Sequence, residues 1–125
     1  MKSVRKVLLV EDEVLVAALA ADALEELGYG AIEVGTIKAA LEIAAAGTAE
    51  FAFAVVDVGL PDGRGDELAV QLRHLRADLP IIIATGYGEA HLDERLRGNK
   101  MVAILSKPYD VAQLQAAIKI VRPAA

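Results

Sequence analysis

Residues 51–65 read FAFAVVDVGLPDGRG. An apolar run from Phe51 to Val56 ends on one carboxylate, Asp57, and passes into Gly59-Leu60-Pro61-Asp62-Gly63, a string of turn formers. Such a run, bounded by turn residues, is the pattern of a strand buried on both faces. A lone charge at the end of that strand is expensive to bury. Asp57 therefore calls for partners elsewhere in the chain.

The bounds narrow where to look. The chain has 125 residues, the size of one ordinary domain, and 55% are apolar, ample for a packed core. No apolar run approaches the roughly 20 residues that span a bilayer. The start, MKSVRKVLLVEDE, is basic, but its apolar stretch is too short for a signal peptide and acids follow at once. There is no Cys, and with no leader the expected location is the cytoplasm. The net charge of −5 argues against direct nucleic-acid binding. No membrane association is expected.

Outward from residues 51–57 the segments alternate. Val4 to Val10 reads as a strand. Val14 to Leu27 reads as a helix with Val16, Leu19, Ala20, Ala23 and Leu27 inward and Gly28 stopping it. Ala31 to Val34 is a short strand, and Thr36 caps a helix that Gly47 closes. Gly65 to Arg76 is a helix with Leu68, Leu72 and Leu75 inward. Ile81 to Ala84 and Met101 to Leu105 are strands. Asp110 and Gln113 resemble a capping box before a last helix whose inner face is Leu114, Ala117, Ile118 and Val121. Five short apolar strands alternating with helices predict a parallel sheet covered on both faces.

In open parallel sheets, sites form at the carboxyl ends of the strands. Strand one ends in Glu11, Asp12 and Glu13, strand three in Asp57, strand four in Thr85, and strand five in Ser106, Lys107 and Pro108. Each has a plain structural reading. Glu11 and Asp12 suit a helix N-terminus, Asp57 suits a turn, Thr85 suits a strand, and Lys107 suits a solvated end. Asp62 and Asp66 read as turn and cap residues. The combination is more specific than its members, because no helix cap needs all four strand ends to be polar. Crowded carboxylates repel, and a hard divalent cation such as Mg²⁺ relieves them. Lys107 adds a compact positive charge. A carboxylate held so can attack phosphorus, with cations and a Thr hydroxyl stabilising the phosphoryl oxygens.

With VEDE at 10–13, VVDVGLPDGRG at 55–65, ATG at 84–86 and SKPY at 106–109, the chain resembles the receiver domain of two-component response regulators over nearly its whole length. The resemblance implies an α/β, flavodoxin-like (βα)₅ fold with strand order 2-1-3-4-5. It implies that Asp57 accepts a phosphoryl group from a sensor histidine kinase or a histidine phosphotransfer protein. Mg²⁺, or Mn²⁺, would be held by Asp12, Asp57 and the backbone carbonyl of Gly59, with Glu11 acting through a water. Thr85 and Lys107 would contact the phosphoryl group, and Lys107–Pro108 would be cis. A downstream protein partner would read the face from strand four to helix five. The domain would be a phosphorylated signalling protein rather than an enzyme, and a monomer or weak dimer. No output domain follows Arg122-Pro123-Ala124-Ala125 within these residues, which reads as a stand-alone receiver spanning 1–125.

Two positions depart from the family pattern. Ile104 stands where an aromatic is usual, three residues before Lys107. Gly86-Tyr87-Gly88 follows Thr85 and resembles the receiver subgroup with a Phe-Ala-Thr-Gly-Tyr signature, in which the fourth helix is poorly formed. The switch is therefore assigned to Thr85, Tyr87 and Ile104, with residues 86–99 mobile before phosphorylation and ordered after it. Three other classes fit the residues less well. A haloacid-dehalogenase-like phosphatase needs a second Asp where Gly59 stands. A dinucleotide or flavin domain needs a Gly-rich or hydroxyl-rich loop where Glu11-Asp12-Glu13 stand. A non-phosphorylated pseudo-receiver module should have lost the acids or Lys107.

Overall fold

The computed structural model describes residues 5–47, 50–86 and 92–121. The chain runs β1 (Arg5–Val10), α1 (Val14–Glu26), β2 (Tyr29–Val34), α2 (Ile37–Ala46), β3 (Phe51–Asp57), α3 (Gly65–Leu75), β4 (Ile81–Thr85), β5 (Val102–Ser106) and α4 (Val111–Val121). All five strands are parallel, in the order β2-β1-β3-β4-β5. This is the flavodoxin-like arrangement expected from the sequence. After β3 the chain makes a small antiparallel hairpin, Gly59–Leu60 against Gly63–Arg64, with Pro61 and Asp62 at its tip.

Alternation along the strands builds two cores. Leu8, Val10, Ala54, Val56, Ile81 and Ile83 face α2 and α3. Val7, Leu9, Phe53, Val55, Ile82, Ala103 and Leu105 face α1 and α4. Between β4 and β5 the described residues 92–101 hold only a 3₁₀ turn, Glu94–Leu96. The fold thus shows four α-helices among the described residues rather than five. Only Leu92 and Leu96 of this stretch reach the α3-side core, too few apolar contacts to hold a full helix.

Local signals set most ends. The Thr36 hydroxyl accepts from the Ala39 amide at 3.0 Å, and Gly47 closes α2 with φ +67°. Asp110 and Gln113 form a reciprocal capping box: the Asp110 amide donates to Gln113 Oε1 at 2.9 Å and the Gln113 amide donates to Asp110 Oδ1 at 2.8 Å. Leu114, Ala117, Ile118 and Val121 are all buried, as expected.

Two inner faces need correction. In α1 the buried residues are Ala17, Ala20 and Leu24, while Leu19 is 64% exposed. VLVAALAADALEE is apolar almost all round, so its periodicity does not select the side the sheet covers. Leu75, in the last turn of α3, is 49% exposed.

Candidate functional site

Register brings the acids and the lysine together. Val10 pairs with Val56, which sets Glu11 level with Asp57. Thr85 pairs with Ser106, one residue before Lys107. Glu11, Asp57 and Lys107 continue the rows Val7–Leu9, Phe53–Val55 and Ala103–Leu105, so all three extend from the α1–α4 side of the sheet. Lys107 Nζ donates to Asp57 Oδ1 at 3.1 Å and to Glu11 Oε1 at 3.2 Å. Glu11 and Asp57 are buried, whereas Asp12 is exposed at the mouth. The three residues each offer a carboxylate oxygen, and these oxygens lie within 4.8 Å of one another.

The acids do not serve α1 as caps. Its N-cap is Glu13, which makes no side-chain cap bond, and its first turn holds no acid. The second Glu11 oxygen accepts from the Glu13 amide at 3.1 Å, which fixes the carboxylate in place. Burial raises the Glu11 pKa; the Glu13 amide opposes this, the Asp57 charge adds to it, and Lys107 opposes it, leaving a net rise. Burial by itself would lower the Lys107 pKa, but its bond to Asp57 and the charges of Asp57 and Glu11 outweigh burial and hold it above the usual value. Three carboxylates against one ammonium leave two negative charges unmatched. Oxygen donors of that number and charge fit a hard divalent cation.

Thr85 is buried at the end of β4, beside the Asp57 strand, and its backbone carbonyl accepts from the Lys107 amide at 2.9 Å. Thr85 follows the Ile81–Ile83 row, on the sheet side opposite Asp57 and shared with Ile104. Ile104 is half-buried and lines a cavity of about 80 Å³ with Leu92, Leu96 and Val102. Gly59 is exposed in the hairpin, two residues beyond Asp57. The Lys107–Pro108 bond is cis. Tyr87 lies outside the described residues.

Four residues had no such role in the sequence reading. Gly65 opens α3 directly behind Asp57: its amide donates to the Val58 carbonyl at 2.8 Å, and a Cβ there would stand on the Asp57 carbonyl, 2.7 Å from its carbon. DGRG hinted at a tight turn but not at this approach. Asp62 caps a helix distant in sequence, accepting from the amides of Ile37 at 2.9 Å and Lys38 at 3.1 Å. Asp66 is buried and turned toward residue 93. Tyr109, half-buried, packs against the α1–α4 core; burial, then the Glu11 charge, raises its phenol pKa.

Residues 7–119 match the response regulator receiver domain family, and the chain belongs to it. It is a receiver domain of the kind carried by response regulators and histidine kinases. It is 34% identical over 113 residues to the sensor kinase CckA of Brucella abortus, covering 90% of this chain and 12% of that protein. It is 32% identical over 117 residues to the transcriptional regulatory protein PdtaR of Mycobacterium tuberculosis, covering 93% of this chain and 56% of that one. The chain thus spans from about an eighth to about half of these relatives. Among solved structures, a response regulator of Burkholderia pseudomallei, described with a phosphorylated aspartic acid, a calcium ion and citrate, superposes with a TM-score of 0.76 at 27% identity, over 90% of this chain and 65% of that one. No helix among the described residues is long and apolar enough to cross a membrane.

Proposed function

We propose that the chain is the phosphoacceptor of a two-component system or phosphorelay, and that Asp57 takes the phosphoryl group. The observation that carries this reading is the Lys107 ammonium bridging Asp57 and Glu11, with Asp12 beside them. An Asp57 oxygen attacks phosphorus, the P–N bond to the donor histidine breaks, and the imidazole nitrogen leaves with the electron pair, forming an acyl phosphate. Lys107 releases one carboxylate contact and meets the incoming phosphoryl oxygens. The Thr85 hydroxyl bonds one of them when the β4 end moves toward the site. Asp12, Asp57 and the Gly59 carbonyl would hold Mg²⁺ or Mn²⁺, with Glu11 acting through a water. Such an ion, when bound, would supply positive charge to offset the phosphoryl oxygens. The phosphorylated aspartate and cation described for the Burkholderia pseudomallei relative support this assignment.

The donor is a sensor histidine kinase or a histidine phosphotransfer protein, in keeping with the kinase among the relatives. Its docking surface is α1, where Val14 and Leu15 are exposed beside a groove of about 570 Å³ that Leu19 and Ala23 share with Pro108 and Tyr109. A downstream protein reads the face from β4 to α4. The domain acts as a phosphorylated signalling protein in the cytoplasm, as a monomer or weak dimer.

The test is intact mass after incubation with acetyl phosphate and Mg²⁺. One phosphoryl adduct is expected in the wild-type protein and none in Asp57→Asn or in the presence of EDTA. Equal labelling of Asp57→Asn rejects the assignment. No adduct in the wild-type protein favours a pseudo-receiver that acts by binding alone.

A further inference from the structure

Among the described residues four polar side chains are buried: Glu11, Asp57, Thr85 and Asp66. The first three belong to the site above. Asp66, only 2% exposed, does not. Its carboxylate accepts from Arg64 Nε at 3.0 Å, from Arg64 Nη2 at 3.2 Å and from the backbone amide of Asp93 at 2.7 Å. The last bond crosses 27 residues, from the first turn of α3 to the return segment between β4 and β5. Asp93 in turn caps the 3₁₀ turn Glu94–Leu96 through the Arg95 amide, at 2.9 Å. Leu92 and Leu96, on either side of it, sink into the α3-side core. Residues 92–96 are therefore fastened by two buried apolar side chains and one charge-assisted hydrogen bond, the stronger kind of such bonds.

The other end of this connection has no slack. Asp66 follows Gly65, which lies against the Asp57 backbone more closely than any side chain allows. The Gly65 amide also holds the carbonyl of Val58, the residue after Asp57. A backbone shift at Asp57 or Val58 must displace Gly65, and Asp66 moves with it. Close-packed contacts transmit such shifts rather than absorb them.

We propose that Asp66 is a positioning residue that latches the 92–96 segment to the Asp57 end of the sheet, so that modification of Asp57 is passed through Gly65 and Asp66 to Asp93. The proposal rests on Asp57 being the phosphoacceptor. It assigns the coupling to a buried carboxylate on α3, beside the side-chain switch expected at Thr85 and Ile104.

Backbone amide NMR of the whole chain, with and without beryllofluoride plus Mg²⁺ as phosphoryl mimic, tests it in wild type, Asp66→Asn and Arg64→Gln. In the wild-type protein the Val58 and Gly59 amides and the Asp93 to Leu96 amides should shift together. Asp66→Asn keeps the size and loses the charge. Its Asp93 to Leu96 amides should exchange roughly tenfold faster or more without the mimic. They should also lose their response to it while Val58 and Gly59 keep theirs. Arg64→Gln, at an exposed side chain, removes the counter-charge and should weaken the Asp93 response without touching the core; it carries the test if Asp66→Asn does not fold. Shifts at Val58 and Gly59 with none at Asp93 to Leu96 in the wild-type protein overturn the latch alone. An unchanged Asp93 to Leu96 response in the folded variants does the same. No shift at Val58 and Gly59 in the wild-type protein removes the phosphoacceptor reading, and the latch with it.

Discussion

Lys107 and Asp57, 50 residues apart in the chain, meet with Nζ 3.1 Å from Oδ1, and the same ammonium reaches Glu11 at 3.2 Å. One cation shared between two buried carboxylates is what lets both stay in a largely apolar setting. It also places a mobile positive charge where phosphoryl oxygens would arrive. Lys107→Ala should slow labelling by acetyl phosphate about 10²–10³-fold, the usual loss for one preorganised donor. A labelling time course at saturating Mg²⁺ measures it, and a rate within twofold of wild type would remove Lys107 from the reaction.

Glu11→Gln should separate stability from function. Burial and the Asp57 charge disfavour the ionised Glu11 in the fold, against the pull of the Glu13 amide and Lys107. A neutral side chain of the same shape relieves that opposition. The melting temperature in EDTA should rise, while Mg²⁺ affinity falls roughly 10–100-fold through the lost orienting group. Thermal melts and a Mg²⁺ titration read the two effects, and a lower melting temperature in EDTA would contradict the charge argument.

Gly65→Ala should destabilise the protein by about 1–3 kcal/mol or more, the cost of overpacking a site that cannot relax. A Cβ there meets the backbone of Asp57 rather than a flexible side-chain tip. Urea unfolding measures the loss, and labelling of Asp57 should slow in the same variant. An unchanged midpoint would show that the α3 start can retreat from β3.

Asp62→Asn should destabilise at neutral pH and cease to matter in acid. The Ile37 amide bond, over a smaller opposing effect of burial, holds the Asp62 carboxyl below its ordinary pKa. A lowered carboxyl contributes its stability above the unfolded value and loses it as pH falls through the folded one. The difference in melting temperature between wild type and Asp62→Asn should therefore be full at pH 7 and shrink below about pH 4. A difference that stays constant through that range would mean the charge is not what caps α2.

Leu15→Asp should separate docking from chemistry. Leu15 is 73% exposed on α1, so its replacement should leave stability within about 0.5 kcal/mol and acetyl phosphate labelling unchanged. Transfer from a phosphorylated histidine donor protein should fall at least tenfold. Equal loss with both donors would place the effect in the site instead of on the docking face.

The sequence by itself determined the strands, the fold class and the strand-end origin of the site. The period-2 and unbroken apolar runs, the Thr36 and Asp110–Gln113 caps and the glycines after the helices are local signals, and local backbone physics is enough to act on them. The polar residues that close strands one, three, four and five were legible because a parallel sheet gathers its carboxyl ends on one side. Only the tertiary structure decided which side of α1 the sheet covers. VLVAALAADALEE offers apolar residues on every side, so the choice of Ala17, Ala20 and Leu24 over Leu19 is made by the packing partner. It also decided that Asp62 serves α2 and that Asp66 holds Asp93. Each of those carboxylates sits among turn and cap residues that would accept a local amide equally well. The partner it takes is set by which backbone amide the packed layers bring within 3 Å, and that distance is a property of the assembled sheet and helices.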